Sequence, residues 1–318
     1  MKTFIFIPDT NKKAGLGHIS RCFSYSNFVN KKFEIIFLVK KNFDKKYLIK
    51  KNFKNIKIRY IFFSNLINAL NLIKKKYEHI VTFLDTYNSK IRNIKFEEYS
   101  KLHINILDYK TKCKSNYIID HTFGRKHHYH NNKKILIGVK NFPIYKKLKF
   151  INRNTILINF GSTKSKFLIK KSLLFIKNLK LNKSIKIVII DNLFSKKDYK
   201  DINLKNKIIH YKFINSIEKI YQNTLFAFGA CGISLYEKCF FNIPSISKSV
   251  ANNQSYNFRN FRSKYCILDY DKVVRFPLQK GYNHDKFYNE ITKVENNLKK
   301  YFDYKKNKRH LHKIFNKF

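Results

Sequence analysis

Thr3-Phe4-Ile5-Phe6-Ile7-Pro8 is followed, six residues on, by Ala14-Gly15-Leu16-Gly17-His18-Ile19-Ser20-Arg21-Cys22. The first segment is an unbroken apolar run, the pattern of a parallel strand buried on both faces. The second opens a helix expected over His18–Asn30, with two glycines where the chain must turn from strand to helix. Amides at such a helix start attract anions. A full dinucleotide fingerprint would need a third glycine where Ser20 stands and an acid about 20 residues on, so this is not a convincing NAD site. His18 sits at the helix start. Imidazole titrates near neutrality, which suits a general base, although on spacing alone a lone histidine is more often a structural or surface residue.

Working outward, strands and helices alternate. Strands are expected at Phe33–Val39, Ile56–Phe62, His79–Leu84, His103–Leu107, Tyr117–Ile119 and Lys134–Ile137, with helices at Asp44–Asn52 and Leu66–Lys76. The pattern then restarts with a strand at Thr155–Phe160 running into Gly161, and a helix at Phe167–Leu179. Strands Ile185–Ile190, Ile208–Phe213, Leu225–Phe228, Pro244–Ser247 and Tyr265–Leu268 follow, with helices at Ile217–Gln222, Ser234–Phe241 and Gln254–Arg262. This alternation predicts an α/β protein with two Rossmann-like domains, residues 1–150 and 151–318, linked through Tyr145–Asn154. Ligands of such sheets bind beyond the carboxyl ends of the strands, so a cleft between the halves is the expected site. Lys286–Phe318 reads as a helical, Lys-rich tail with no identifiable chemistry.

Composition narrows the function. The chain has 318 residues and a formal net charge of +47. The excess is 58 Lys against 9 Arg, spread from Lys2 to Lys317. Phosphate readers favour the bidentate fork of Arg and cluster it, so the charge reads as a solvated surface and no nucleic-acid partner is expected. A basic nucleic-acid-binding protein is the rival from another class. Apolar runs reach about half a dozen residues, short of the ~20 a membrane span needs. The amino terminus is too short in apolar residues for a signal peptide. Five cysteines without C-x-x-C spacing argue against a disulfide framework or zinc knuckle, so a reducing cytoplasm is expected. Only 8 glycines are present, and Gly15, Gly17, Gly161, Gly229 and Gly232 fall in three short stretches. Acids are scarce too, which draws attention to Asp85, Asp108 and Glu237.

The ordered motifs resemble one family. Gly15-Leu16-Gly17-His18-Ile19-Ser20-Arg21-Cys22 is similar to the G-x-G-H-x-x-R-C/D signature of the UDP-sugar hydrolases of pseudaminic acid biosynthesis, the PseG family, relatives of the MurG-type GT-B glycosyltransferases. Asp85-Thr86-Tyr87 resembles its D-x-Y, and Ile106-Leu107-Asp108 its next strand ending in Asp. Gly138 to Tyr145 loosely matches a G-x-x-Y-x-x-L-R stretch, with the Tyr displaced. Phe160-Gly161-Ser162-Thr163 resembles F-G-G-S/T-D, Gly229 to Glu237 resembles A-G-G-S-T-L-Y-E, and Asn253-Gln254 an N-Q that follows. The resemblance spans roughly residues 1–270.

It implies a GT-B-like fold and release of UDP from a UDP-2,4-diacetamido-2,4,6-trideoxy-hexose, for surface glycans, by water attack at sugar C1 with inversion. The family's base falls on His18, and Tyr87 matches a Tyr near that water. Gly15, Gly17, Arg21, Asp85 and Asp108 lie on the sugar side. Gly161, Ser162, Thr163, Gly232 and Ser234 would hold nucleotide, Glu237 the ribose hydroxyls, and the amides of Asn253 and Gln254 phosphate or sugar. No cofactor or metal is implied. The His127-His128-Tyr129-His130 cluster is too tightly spaced for a ligand set. This chain departs from the pattern at Ser162, Lys164 and Cys231, where side chains could narrow a nucleotide pocket. A GT-B glycosyltransferase, with an acceptor hydroxyl in place of water, is the rival within enzymes.

Overall fold

The structure is a computed structural model, and it describes residues 2–11, 17–45, 48, 58–108, 115–125, 134–144, 148–161, 165–179, 181–214, 216–275 and 284–318. Gly15, Ser162, Thr163, Lys164, the His127–His130 cluster and most of the expected helix Asp44–Asn52 lie outside the described residues.

Two compact units form. Unit 1 comprises Met1–Tyr145 and Lys305–Phe318, and unit 2 comprises Lys146–Tyr304. Unit 1 holds strands β1 (Lys2–Pro8), β2 (Glu34–Lys40), β3 (Ile58–Phe63), β4 (His79–Asp85), β5 (Leu102–Leu107), β6 (Tyr117–Asp120) and β7 (Ile135–Ile137). Their order is β3-β2-β1-β4-β5-β6-β7, and every pairing is parallel. Side chains alternate along β1. Phe4 and Phe6 join Phe37 and Phe83 in one core, while Ile5 and Ile7 join Ile36, Leu38 and Leu70 in another. Both faces are therefore covered, which is why these strands read as continuous apolar runs. The helix Leu66–Lys76 starts at Asn65, whose side chain accepts from the Asn68 amide, and ends on three lysines that suit the negative end of its dipole.

Unit 2 holds β8 (Thr155–Asn159), β9 (Lys186–Ile190), β10 (Ile208–Tyr211), β11 (Thr224–Ala230), β12 (Ser245–Lys248) and β13 (Leu268–Asp269). Their order is β10-β9-β8-β11-β12-β13, again parallel. The expected final strand Tyr265–Leu268 shrinks to two residues, because Tyr265 takes a positive φ of 50° and turns the chain there.

Each sheet has one point where strand order reverses: β1 beside β4, and β8 beside β11. Ligands of doubly wound sheets gather at such points. Gly17 opens the helix after β1, Gly161 follows β8, and Gly229 and Gly232 lie at the end of β11 and just past it, so each of these glycines falls at a reversal.

The carboxyl-terminal segment corrects the simple split at residue 150. It forms two helices, His284–Tyr301 and Tyr304–Phe315. The second returns to unit 1 and buries Leu311, Ile314, Phe315 and Phe318 in its core. Phe315 stacks on Phe83 with ring centroids 5.2 Å apart. Asn307 Nδ2 donates to the carbonyls of Lys140 and Phe142. Its lysines are the solvent face of a core helix. Among the described residues no helix is long and apolar enough to cross a membrane.

Candidate active site

At the β1/β4 reversal the helix Gly17–Ser26 directs His18 and Arg21, one turn apart, at the carboxyl ends of β4 and β5. His18 is 3% exposed, and its Nδ1 lies 2.5 Å from Asp85 Oδ1. Arg21, 2% exposed, donates from Nε to Asp85 Oδ2 at 2.7 Å and from Nη2 to Asp85 Oδ1 at 2.5 Å. Its Nη1 donates to Asp108 Oδ2 at 3.0 Å. The Tyr87 hydroxyl donates to the Asp108 carboxylate at 2.9 Å, and its ring stands edge-on to His18 with centroids 4.5 Å apart. The Cys22 thiol points at Asp85 Oδ2 from 3.9 Å.

The electrostatics follow from burial and pairing. Burial alone would raise the Asp85 carboxyl pKa, but the Arg21 charge and then His18 outweigh it and hold the group below the usual carboxylate range. Asp108 is also lowered, against its burial, mainly by Arg21. Burial opposes the charged form of Arg21, yet Asp85 and Asp108 hold it well above its ordinary value. One fixed cation thus faces two fixed carboxylates. The set carries one net negative charge when His18 is neutral, and an imidazolium would cancel it. Asp85 holds the proton of Nδ1, leaving Nε2 as the atom with a lone pair to use.

The structure brings His18, Arg21, Tyr87, Asp85 and Asp108 into one network. The polar atoms of Arg21 and Asp85 are largely spent on one another and on His18, so they act on the histidine's position. The Tyr87 hydroxyl is likewise engaged by Asp108. Gly17 is the first residue of the helix. Two participants were missed from sequence. His121, just past β6, has Nε2 3.4 Å from Arg21 Nη1, and burial followed by the Arg21 charge pushes its pKa down to about 3. Arg125 pairs with Asp120 at 3.2 Å and donates from Nη2 to the Asp108 carbonyl. The signal available was an acid closing a strand, Asp120, in an acid-poor chain.

At the β8/β11 reversal of unit 2, Gly161 has φ +81°, a conformation that favours glycine. Its amide donates to Asn159 Oδ1 at 2.8 Å, so that donor is already taken. Gly232 caps the helix Ile233–Phe240, which no side chain caps, and Ser234 lies in its first turn. Glu237 accepts from the buried Tyr221 hydroxyl at 3.2 Å. Gln254 Nε2 is 3.5 Å from where a Cβ on Gly232 would stand, and its Oε1 accepts from the Val250 amide. Asn253 is exposed in the short turn Asn252–Gln254. Among the described residues no three His, Cys, Asp or Glu side chains gather as a metal set. Cys22, Cys231, Cys239 and Cys266 are buried free thiols.

These two sheets define a GT-B-like fold. The chain aligns over its full length with MurG of Acinetobacter baumannii, covering 100% of that chain at 12% identity and TM-score 0.66. It aligns equally fully with Phytolacca americana UGT2, whose structure is complexed with UDP-2-fluoro-glucose and pterostilbene, at 8% identity, TM-score 0.67 and 99% of that chain. A UDP-glucosyltransferase from Polygonum tinctorium matches at 9% identity and TM-score 0.64, with 99% of this chain and 98% of that one covered. No family model and no curated protein sequence matches the chain.

Proposed function

We propose that this protein is a UDP-sugar-utilising enzyme, and specifically a nucleotide-sugar hydrolase of the pseudaminic acid type. The observation that carries the reading is the His18–Asp85 pair at the β1/β4 reversal, on the motif that resembles the hydrolases. A nucleotide would sit on unit 2, its phosphates at the Gly232 helix start and its ribose hydroxyls on Glu237. His18 Nε2 takes a proton from water as the water oxygen bonds to sugar C1. The C1–O bond breaks, and UDP leaves with its electron pair. Asp85 stabilises the imidazolium that forms, and UDP, already a good leaving group, needs one base and phosphate electrostatics.

The test is turnover of candidate UDP-deoxysugars by the purified protein in heavy-oxygen water, with and without chelator, read by mass spectrometry. Label on the sugar C1 hydroxyl and chelator-resistant turnover are expected. Label on the UDP phosphate would sink the mechanism, and metal-dependent turnover would point to a different reaction. A second reading, a GT-B glycosyltransferase, is favoured by the glucosyltransferase among the fold neighbours. The same base would then serve an acceptor hydroxyl. UDP release that appears only when an acceptor is added would select it.

A further inference from the structure

The two strand-order reversals carry buried cations that are compensated very differently. Arg21, at β1/β4, is held by two carboxylates. Lys238, on the helix Ile233–Phe240, is 1% exposed, and its Nζ has no hydrogen-bond partner among the described residues. It lies at the other reversal. A Cβ on Gly229 would stand 2.7 Å from Lys238 Nζ and 2.6 Å from the Asn159 carbonyl oxygen. Gly229 and Asn159 are register partners on β11 and β8. Gly229 is therefore glycine because a side chain there would meet backbone and ammonium at once. Ser247 on β12 is the register partner of Gly229 on the other side, and its buried Oγ also has no partner among the described residues. Register partners on neighbouring strands point to the same face, so hydroxyl and ammonium share one side of the sheet.

We propose that Lys238 is the charge complement of a diphosphate bound at the β8/β11 reversal, over Gly161 and the Gly232 helix start. This rests on the nucleotide reading of unit 2. The helix start offers amides and a partial positive charge, and Lys238 adds a full one behind them. The other ionisable groups acting on it are the thiols of Cys239 and Cys231 and the Glu237 carboxylate, with Asp269 acting on Cys231. Burial pushes the Cys231 thiol up to about 12, so it stays neutral. Burial also pushes Lys238 down to about 8, outweighing the opposing effects of Cys239, Cys231 and Glu237. A bound diphosphate favours the charged lysine, so binding takes up a proton in that pH range.

The experiment is calorimetry of the full chain with UDP and with uridine near pH ~8, in buffers of different ionisation enthalpy, which report protons taken up. The wild type is expected to bind UDP with proton uptake. Lys238→Met is expected to weaken UDP by roughly ten-fold or more while leaving uridine unchanged, as loss of a charged partner to phosphate alone would. Its proton uptake should vanish. Lys238→Arg keeps a permanent charge, so it should keep the preference for UDP yet lose the uptake. An unchanged UDP-to-uridine ratio in Lys238→Met, or uptake that survives both substitutions, overturns the proposal and leaves the nucleotide reading standing. If the wild type binds neither ligand, the nucleotide reading falls and takes this proposal with it.

Discussion

His18 Nδ1 meets Asp85 Oδ1 at 2.5 Å across 67 residues of sequence. The same carboxylate takes two donors from Arg21. An imidazole held this way has one tautomer with its free lone pair on Nε2, and a carboxylate already charged behind it. The arrangement suits a base that must accept a proton and hold it briefly.

His18→Asn should therefore keep the shape of the helix start and remove the base. Turnover should fall by about 10²–10⁴-fold, with UDP affinity retained. Single-turnover kinetics with calorimetry checks both halves. Normal turnover in this variant would make the histidine structural.

Asp85→Asn tests the support behind the base. It leaves the buried Arg21 with a single carboxylate, at a cost of roughly 3–5 kcal/mol. Urea unfolding near neutral pH reads this loss. The sign of the pH dependence is fixed by the direction of the shift. The folded Asp85 and Asp108 carboxyls titrate below their unfolded value, so their stabilisation is present above about pH 4 and disappears as pH falls through the folded values. The wild type should lose stability on acidification, and Asp85→Asn should show a shallower acid slope. Parallel slopes would mean that Asp85 is not the titrating group.

Glu237→Gln separates ribose from phosphate. If Glu237 accepts the ribose hydroxyls, UDP and uridine should weaken together, by about 1.5–3 kcal/mol. Tyr221→Phe removes only the hydroxyl that donates to Glu237 and should cost about 1 kcal/mol in the same assay. A variant that loses UDP while keeping uridine would put Glu237 on the phosphates instead.

How much of this was legible before folding depends on the residue type. The β1 strand and the helix opened by Gly17 were readable because parallel strands are apolar throughout and glycines are scarce here. Asp85 and Asp108 stood out as rare acids at strand ends. Their engagement by Arg21 did not, because the bond joins residues 64 and 87 apart in sequence. His121 offered no glycine or motif to mark it. The helix Tyr304–Phe315 was visible as a helix, but its lysines masked the Leu311, Ile314 and Phe315 face that carries it back to unit 1. Lys238 was hidden most completely, as one lysine among 58 in a chain whose other lysines read as surface. Burial, which sequence does not carry, is what distinguishes it.

That burial makes a prediction about the ligand-free protein. An unpaired ammonium inside the fold opposes folding when charged. The folded Lys238 titrates at about 8, below the ~10.4 of a free lysine. Between those values the unfolded chain binds the proton and the folded one does not, so stability should rise with pH across that window. Below about 8 the folded state carries the charge and the full penalty. Lys238→Met removes the charge and fills much the same volume. It should stabilise the free protein at neutral pH by about 1–3 kcal/mol, an effect that fades toward pH ~10. Chemical denaturation at the two pH values measures it. The variant would then be more stable and a poorer binder of UDP, the pattern of a charge retained for a ligand at the expense of the fold. If Lys238→Met instead destabilises the protein equally at both pH values, the side chain is serving as packing, and its ammonium is not the unpaired charge its surroundings indicate.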